Sequence, residues 1–217
     1  MTALPLDADA VLWSANEHDR ADRPLLVLLH GYGSNEADLF DLAPYLPLEP
    51  VIASVRAPIP MGSGHAWFPL GAQPGVPDPQ LVTDAARGVL AWLDTLTVQP
   101  TSVGLLGFSQ GGSMALQLLR LAPSRFDYAV VLAGFQAGGQ QAGDTELGAS
   151  RPPVFWGRGT ADAVISAAAI DRTQAWLPDH STLTERIYEG LGHSVSQAEL
   201  ADTVAFLRER YDAARPS

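Results

Sequence analysis

The stretch that decides the fold is Val103-Gly104-Leu105-Leu106-Gly107-Phe108-Ser109-Gln110-Gly111-Gly112. The run from Val103 to Leu106 is short and apolar, as expected of a strand covered on both faces. After this run, the apolar residues between Met114 and Leu121 have helical spacing. A G-x-S-x-G pattern between a strand and a helix predicts a strained turn that exposes the serine hydroxyl at the helix N-terminus. Ser109 is therefore a candidate nucleophile, although a serine that only caps a helix would give the same local sequence.

Short strand-like runs and longer helix-like blocks alternate along the chain, which is the pattern of an α/β protein. Buried parallel strands are predicted at Pro24 to Leu29, Val51 to Val55, Ser102 to Leu106, Tyr128 to Leu132 and Pro153 to Trp156. An opening strand and an edge strand are predicted at Ala10 to Ser14 and Leu183 to Tyr188. Helices are predicted at Leu81 to Leu96, Met114 to Leu121, Ala167 to Leu177 and Val195 to Tyr211. We expect one domain over residues 1–217, with helices on both faces of the sheet and no cap domain.

Composition excludes several classes of function. The sequence has no cysteine and no lysine, so disulfides, thiolate metal sites and cysteine or lysine catalysis are absent. A net charge of −11 argues against binding to nucleic acid or anionic lipid. No apolar run is long enough to span a membrane, and the N-terminus lacks the pattern of a signal peptide. We expect a cytoplasmic protein without membrane insertion.

A serine nucleophile needs a histidine base, because its hydroxyl is a weak nucleophile at neutral pH. His193 lies in Gly190-Leu191-Gly192-His193-Ser194, a glycine-rich loop before the last predicted helix. It follows Ser109 in the chain, as the order of such a triad requires. His18 and His180 lie among polar residues, where they are expected to face water. A loop histidine without a role remains the alternative for His193.

The group that orients the histidine should be a carboxylate at the end of a strand between these two residues. Asp162 fits, because it follows the predicted strand Pro153 to Trp156 after a short loop. Asp144 lies in a Gly/Gln-rich segment and Asp171 within a predicted helix, so both are weaker candidates. An aspartate that only caps a helix is the alternative for Asp162.

A tetrahedral intermediate also needs preorganised N–H donors for its oxyanion. In this arrangement the backbone amide of Gln110, next to the nucleophile, supplies one donor. The glycine-rich segment His30-Gly31-Tyr32-Gly33-Ser34 directly follows a predicted strand and supplies the other. A plain glycine turn would explain that segment if it stood alone, but all four elements occur in the required chain order.

These motifs resemble the phospholipase/carboxylesterase family of α/β-hydrolases, which includes bacterial carboxylesterases and acyl-protein thioesterases. The likeness covers most of the chain and is carried by residues 29–39, Arg56-Ala57-Pro58, Trp67-Phe68, residues 107–112 and residues 190–193. Tyr32 and Ser34 in the early loop resemble the bacterial esterase branch more closely than the eukaryotic thioesterases. The sequence departs from the family pattern near Asp162, where Gly157-Arg158-Gly159 and Ile165 replace the usual His-Gly and proline.

The resemblance implies a cofactor-free esterase with the α/β-hydrolase fold. It implies Tyr32 and Gln110 as the oxyanion donors and a short lid loop near Trp67. No metal is expected, since no His/carboxylate cluster has helical metal-ligand spacing near Ser109.

Residues 56–80 are rich in proline and glycine and predict a long loop beside the site. Its apolar side chains are expected to form one wall of an acyl pocket, and the predicted substrate-binding residues are Met61, Trp67, Phe68, Leu70 and, from a later segment, Phe135. Trp67 and Phe68 could instead simply anchor the loop on the core. The segment from Phe135 to Arg151 is expected to be disordered or an exposed surface loop.

The predicted function is hydrolysis of small-molecule carboxylic esters with short to medium acyl chains by a monomer or homodimer. Acyl thioesters and lysophospholipids remain alternative substrates, because the acyl-enzyme step is common to all three. A non-catalytic receptor with the same fold is the alternative from another class, since fold alone does not establish activity.

Overall fold

The structure is a computed structural model that describes residues 3–71 and 76–213. Its central sheet has seven strands in the order β1-β3-β2-β6-β7-β8-β9. The strands of this sheet are β1 (Leu12–Trp13), β2 (Leu25–Leu29), β3 (Val51–Val55), β6 (Val103–Phe108), β7 (Tyr128–Leu132), β8 (Pro153–Gly159) and β9 (Thr182–Tyr188). Only β1 runs antiparallel to its neighbour, so the predicted mostly parallel α/β sheet is confirmed.

Helices cover both faces of the sheet, as predicted. They are α1 (Glu36–Phe40), α2 (Pro79–Asp94), α3 (Gln110–Leu121), α4 (Asp144–Ser150), α5 (Ala167–His180) and α6 (Gln197–Ala213). Single turns of 3-10 helix occur at Ala8–Ala10, Glu17–Asp19, Ala43–Tyr45 and Pro123–Arg125. Val27 and Leu105 belong to the apolar cluster under α2 and α3, whereas Leu28 and Leu106 belong to the cluster under α1 and α6. Successive residues of a strand thus point to opposite faces of the sheet, and both faces are covered by helices. This explains why these strands are apolar throughout.

The segment from 56 to 80 is more ordered than the predicted loop. Within it, β4 (Ile59–Met61) and β5 (Gly64–Ala66) form an antiparallel hairpin. The hairpin is tied to the loop after β2, since the Gly33 amide donates to the His65 carbonyl and the His65 amide donates to the Ser34 carbonyl. Residues 72–75 of this segment lie outside the described residues.

The prediction for Phe135 to Arg151 is wrong, because this segment begins in the core and then forms α4. The cause is Arg120 of α3, whose buried guanidinium donates to the carbonyls of Gly138 and Gly139 and to the carboxylate of Asp144. A buried charge needs such partners, so the segment that supplies them is held in place. Among the described residues, no helix combines the length and the apolar character that crossing a membrane requires.

Candidate active site

Ser109 lies on the sharp turn that joins β6 to α3. Its backbone has φ 56° and ψ −116°, a strained conformation for a residue with a side chain. The flanking glycines allow this turn, since a Cβ on Gly107 would lie 2.2 Å from the Gly111 carbonyl oxygen. A Cβ on Gly111 would lie 1.8 Å from the Leu29 carbonyl oxygen. The Ser109 side chain makes no capping hydrogen bond to α3. The alternative interpretation of Ser109 as only a helix cap is therefore wrong.

The three residues predicted as a triad lie in one chain of hydrogen bonds. His193 Nε2 is 2.8 Å from Ser109 Oγ. Its Nδ1 is 2.8 Å from Asp162 Oδ2. In the tautomer with the proton on Nδ1, that nitrogen donates to the Asp162 carboxylate and Nε2 can accept the serine proton. The side chains of these residues therefore have the geometry of a nucleophile, a base and an orienting acid.

The Asp162 carboxylate is held in place by its own loop. Its second oxygen, Oδ1, accepts hydrogen bonds from the amides of Val164 and Ile165 at 2.8 and 3.1 Å. Its side chain is only 2% exposed. Of the weaker candidates, Asp144 pairs with Arg120 away from Ser109, and Asp171 lies exposed on α5.

The loop that carries His193 turns at Gly190, which has φ +73°. The imidazole lies against the Phe108 ring, with 4.9 Å between the ring centroids. This contact leaves the His193 side chain 17% exposed. The base is thus packed on one side and open to the candidate site on the other.

The glycine-rich loop after β2 lies against Ser109. A Cβ on Gly31 would be 3.1 Å from the Phe108 ring and 3.6 Å from Ser109 Cβ, so the backbone at Gly31 passes close to Ser109. Tyr32 follows directly and is about one third exposed. On the other side of Ser109, Gln110 is the first residue of α3, and its amide has no acceptor within the helix. Both predicted oxyanion donors, the amides of Tyr32 and Gln110, therefore belong to segments next to the Ser109 hydroxyl.

His30 supports this loop in a way that sequence reasoning missed. Its Nδ1 lies 2.8 Å from the Gly31 carbonyl oxygen, and its Nε2 accepts a hydrogen bond from the Ala57 amide at 3.1 Å. These partners require the neutral ring with the proton on Nδ1. Burial lowers the pKa of His30, which keeps the ring neutral. A histidine directly after a buried strand was the available signal, because a side chain in that place needs local partners.

The buried side chain of Gln110 joins α3 to the segment after β5 by hydrogen bonds. Its Oε1 accepts a hydrogen bond from the Trp67 amide at 2.8 Å, and its Nε2 donates to the Phe68 carbonyl at 2.6 Å. Trp67 Nε1 in turn donates to the His30 carbonyl at 2.8 Å. These bonds join the nucleophile turn, the early loop and the segment after β5 into one unit.

A cavity of about 660 Å³ opens beside Ser109. Its described lining residues are Gly31, Tyr32, Ser34, Asp38, Phe68, Leu70, Gly71, Phe108, Ser109, Gln110, Phe135, Val164, Ile165 and His193. Phe68, Leu70 and Phe135 thus lie where the sequence predicted a substrate pocket.

Two other predicted substrate-binding residues lie elsewhere. Trp67 is 0% exposed and packs in the core, where its amide and indole are both hydrogen-bonded, so it anchors the segment as the alternative interpretation held. Met61 lies on the hairpin surface, with its sulfur 3.8 Å from the Tyr32 hydroxyl. Neither residue lines the cavity within the described chain.

Within residues 3–71 and 76–213, no three His, Cys, Asp or Glu side chains come together as a metal ion would require. The described site consists of a hydroxyl, an imidazole, a carboxylate and backbone amides. Such groups suffice for acyl transfer by nucleophilic catalysis.

The sequence and fold match known proteins over most of their length. A family model described as Phospholipase/Carboxylesterase matches residues 14–210. A probable carboxylesterase of Oryza sativa subsp. japonica is 28% identical over 181 residues, which cover 79% of this chain and 66% of that protein. Acyl-protein thioesterase 1 of Eremothecium gossypii is 25% identical over 213 residues, which cover 88% of this chain and 89% of that protein. The crystal structure of a carboxylesterase from Mesorhizobium loti matches with a TM-score of 0.76 at 20% identity, over 94% of this chain and 98% of that one.

The family match covers β2, β3 and β6 to β9 of the central sheet and the turns that carry Ser109, Asp162 and His193. The chain therefore belongs to the phospholipase/carboxylesterase family and is a hydrolase with the α/β-hydrolase fold. The predicted fold and family are confirmed.

Proposed function

We propose that this protein is a serine esterase that cleaves small carboxylic esters through a Ser109–His193–Asp162 triad and an acyl-enzyme intermediate. The observation that carries the proposal is the hydrogen-bonded chain from Asp162 through His193 to Ser109, beside a largely apolar cavity. Family membership supports the hydrolytic chemistry. The geometry at Ser109 supports the choice of nucleophile.

In the first half of the reaction, Ser109 Oγ attacks the carbonyl carbon of the ester while its proton passes to His193 Nε2. The tetrahedral intermediate then collapses, and the bond between the carbonyl carbon and the alcohol oxygen breaks. His193 gives its proton to the departing alcohol oxygen, which leaves an acyl group on Ser109. Asp162 holds the ring in the required tautomer and stabilises the imidazolium that forms.

In the second half, His193 takes a proton from a water molecule, whose oxygen attacks the acyl carbon. The bond to Ser109 Oγ breaks, the serine regains its proton from His193, and the carboxylic acid leaves. In both halves the amides of Tyr32 and Gln110 are proposed to donate to the oxyanion. Such donors typically contribute about 100- to 1,000-fold in rate each.

The acyl group is proposed to lie in the main cavity, against side chains from two sides of it. Phe68 and Leu70 come from the segment after β5, whereas Phe135, Val164 and Ile165 come from the loops after β7 and β8. Each buried methylene of a bound chain contributes roughly 0.8 kcal/mol, so efficiency should rise over the first few carbons. We propose a preference for short to medium acyl chains, because the lining residues Leu70 and Val164 are themselves exposed and can shield only part of a longer chain from water.

Thioester hydrolysis is the second candidate, because three matched relatives are named acyl-protein thioesterase 1. Matched substrates separate the two functions. The purified protein is assayed with ethyl esters and ethyl thioesters of acetate, butyrate, hexanoate and dodecanoate, and acid release is followed by pH-stat. The proposal expects turnover of the oxygen esters with a maximum at butyrate or hexanoate. Turnover of the thioesters alone would replace the first candidate with the second.

A further inference from the structure

A second cavity of about 290 Å³ shares the proposed catalytic base, His193, with the main cavity. Its described lining residues are Asp38, Leu39, Leu42, Phe108, His193, Ser194 and Val195. Asp38, Phe108 and His193 also line the main cavity, so the two spaces meet at these side chains. Phe135, Val164 and Ile165, which are proposed to contact the acyl group, line the main cavity and are not among the described lining residues of the second one.

The position of the second cavity relates it to one part of the substrate. In the proposed reaction the alcohol oxygen must come within hydrogen-bond reach of the proton on His193 Nε2. The group attached to that oxygen must then extend along the His193 side of the site. The second cavity lies on the His193 side, between α1 and the segment that leads to α6. The apolar side chains of Leu39, Leu42 and Val195 line it.

One charged side chain lies where the two cavities meet. Asp38 is the one Asp, Glu or Arg among the described residues that line the two cavities. Its Oδ2 accepts a hydrogen bond at 2.7 Å from Oγ of Ser34, which also lines the main cavity. Arg56, near the early loop, is held by Glu36 in a bidentate ion pair. Residues 72–75, which lie outside the described part, contain no basic residue in the sequence.

We infer that the second cavity binds the alcohol part of the ester and that Asp38 makes it selective for leaving groups that carry a positive charge over those that carry a negative one. This inference rests on the proposed esterase function and defines its substrate class. Alcohols bearing phosphate or carboxylate would enter a space with an acidic side chain and no arginine among its described lining residues. Alcohols bearing an ammonium group would be attracted, and neutral alcohols would be unaffected by the charge.

The test uses three acetate esters whose alcohols have similar size: acetylcholine, 3,3-dimethylbutyl acetate and the acetate of 2-hydroxyethanesulfonate. The efficiency kcat/KM is measured by pH-stat for the wild type, Asp38→Asn and the control Asp41→Asn. Asp41 lies next to α1, is exposed and does not line either cavity in the described structure. Each variant is compared with the wild type on the same ester, so the intrinsic reactivities of the esters cancel.

We expect Asp38→Asn to lower efficiency on the cationic ester about five-fold and to raise it on the anionic ester by a similar factor. The neutral ester and the Asp41→Asn control should stay within about two-fold. The effect should largely disappear between about 0.05 M and 1 M salt, because salt screens exposed charges. Equal changes on all three esters, or no change while the neutral ester is hydrolysed, would overturn the role of Asp38.

A steric variant tests the location independently of charge. Leu42→Phe should lower efficiency on 3,3-dimethylbutyl acetate relative to methyl acetate and leave the ratio of methyl butyrate to methyl acetate unchanged. A change in the acyl ratio instead would place the second cavity on the acyl side and overturn the inference. If the wild type hydrolysed none of these esters, the proposed function would fail and this inference with it, which is a distinct result.

Discussion

Gln110 and Trp67 are joined by a hydrogen bond of 2.8 Å from the Trp67 amide to the Gln110 side chain, across 43 positions of sequence. The residue that offers its backbone amide to the proposed oxyanion hole thus also fixes, through its side chain, the segment that borders the cavity. A single position therefore couples the nucleophile turn to the wall of the site.

This coupling predicts that Gln110→Ala destabilises the fold. The variant leaves the Trp67 amide and the Phe68 carbonyl without their partner in a buried place, which costs about 1–3 kcal/mol for each group. We expect the free energy of unfolding from urea titration to fall by about 2–4 kcal/mol. Gln99→Ala is the control, since Gln99 bonds only the Leu96 carbonyl at an exposed place, and its stability should change little. Equal stabilities of the two variants would contradict the coupling.

The acyl pocket predicts an effect of Leu70→Ala on chain-length dependence. Leu70 lines the main cavity and is 67% exposed, so its truncation should spare the fold. The ratio of kcat/KM for butyrate to that for acetate should fall about two- to four-fold, because one full methylene contact is worth roughly 0.8 kcal/mol. Leu48→Ala is the matched control, as Leu48 is 86% exposed and outside the described cavity lining. An unchanged ratio in Leu70→Ala would remove Leu70 from the acyl pocket.

The orienting acid predicts contrasting effects of two aspartate variants. Asp162→Asn should lower kcat about 10⁴-fold, because an amide in this position favours the wrong tautomer of His193. Asp171→Asn should leave kcat within about two-fold, since Asp171 is exposed on α5. Steady-state assays on one oxygen ester measure both. If the two variants exchanged their effects, the choice of Asp162 would be wrong.

The buried carboxyl group of Glu199 in α6 should make the stability of the fold depend on pH. Glu199 is 1% exposed, and its carboxyl oxygens are buried. Burial raises the pKa of Glu199 from 4.5 to about 7, the backbone amide of Ser196 opposes this shift, and the negative charge of Asp202 adds a smaller increase. Between these two values the folded protein keeps a proton that the unfolded chain has lost. Stability therefore falls as the pH rises through this window.

Glu199→Gln removes this loss and should raise the free energy of unfolding at about pH 8, by up to about 3 kcal/mol, with little change at about pH 5. Urea titrations at both pH values measure the difference. Glu209→Gln, an exposed position on the same helix, is the control and should be neutral at both. A stability gain that is the same at both pH values would mean that the titration of Glu199 is not its cause.

Sequence reasoning predicted the sheet and the positions of Ser109, Asp162 and His193 because each depends on local pattern. The strands are continuous apolar runs, and the three side chains follow strand ends, where parallel strands bring their loops to one edge. The spacing of apolar residues also placed α2, α3, α5 and α6 to within a few positions.

The rest depended on contacts between distant segments. Trp67 is apolar whether it lines a pocket or fills a core, and only its bonds to His30 and Gln110 decide between the two. The composition of residues 135–151 indicated exposure, whereas the buried guanidinium of Arg120 orders them from another helix. Asp38 has no local signal either, since its place at the junction of two cavities follows from how α1 packs beside His193.

The most direct test of the account is the turnover of ethyl butyrate by Ser109→Ala, compared with the wild type under the same conditions. A matched variant, Ser113→Ala, removes a buried hydroxyl from α3, the helix that follows Ser109. Ser109→Ala should lose about 10⁴-fold or more in kcat with an unchanged circular dichroism spectrum, whereas Ser113→Ala should keep nearly full activity. Retention of wild-type turnover by folded Ser109→Ala would contradict the central claim that Ser109 is the nucleophile.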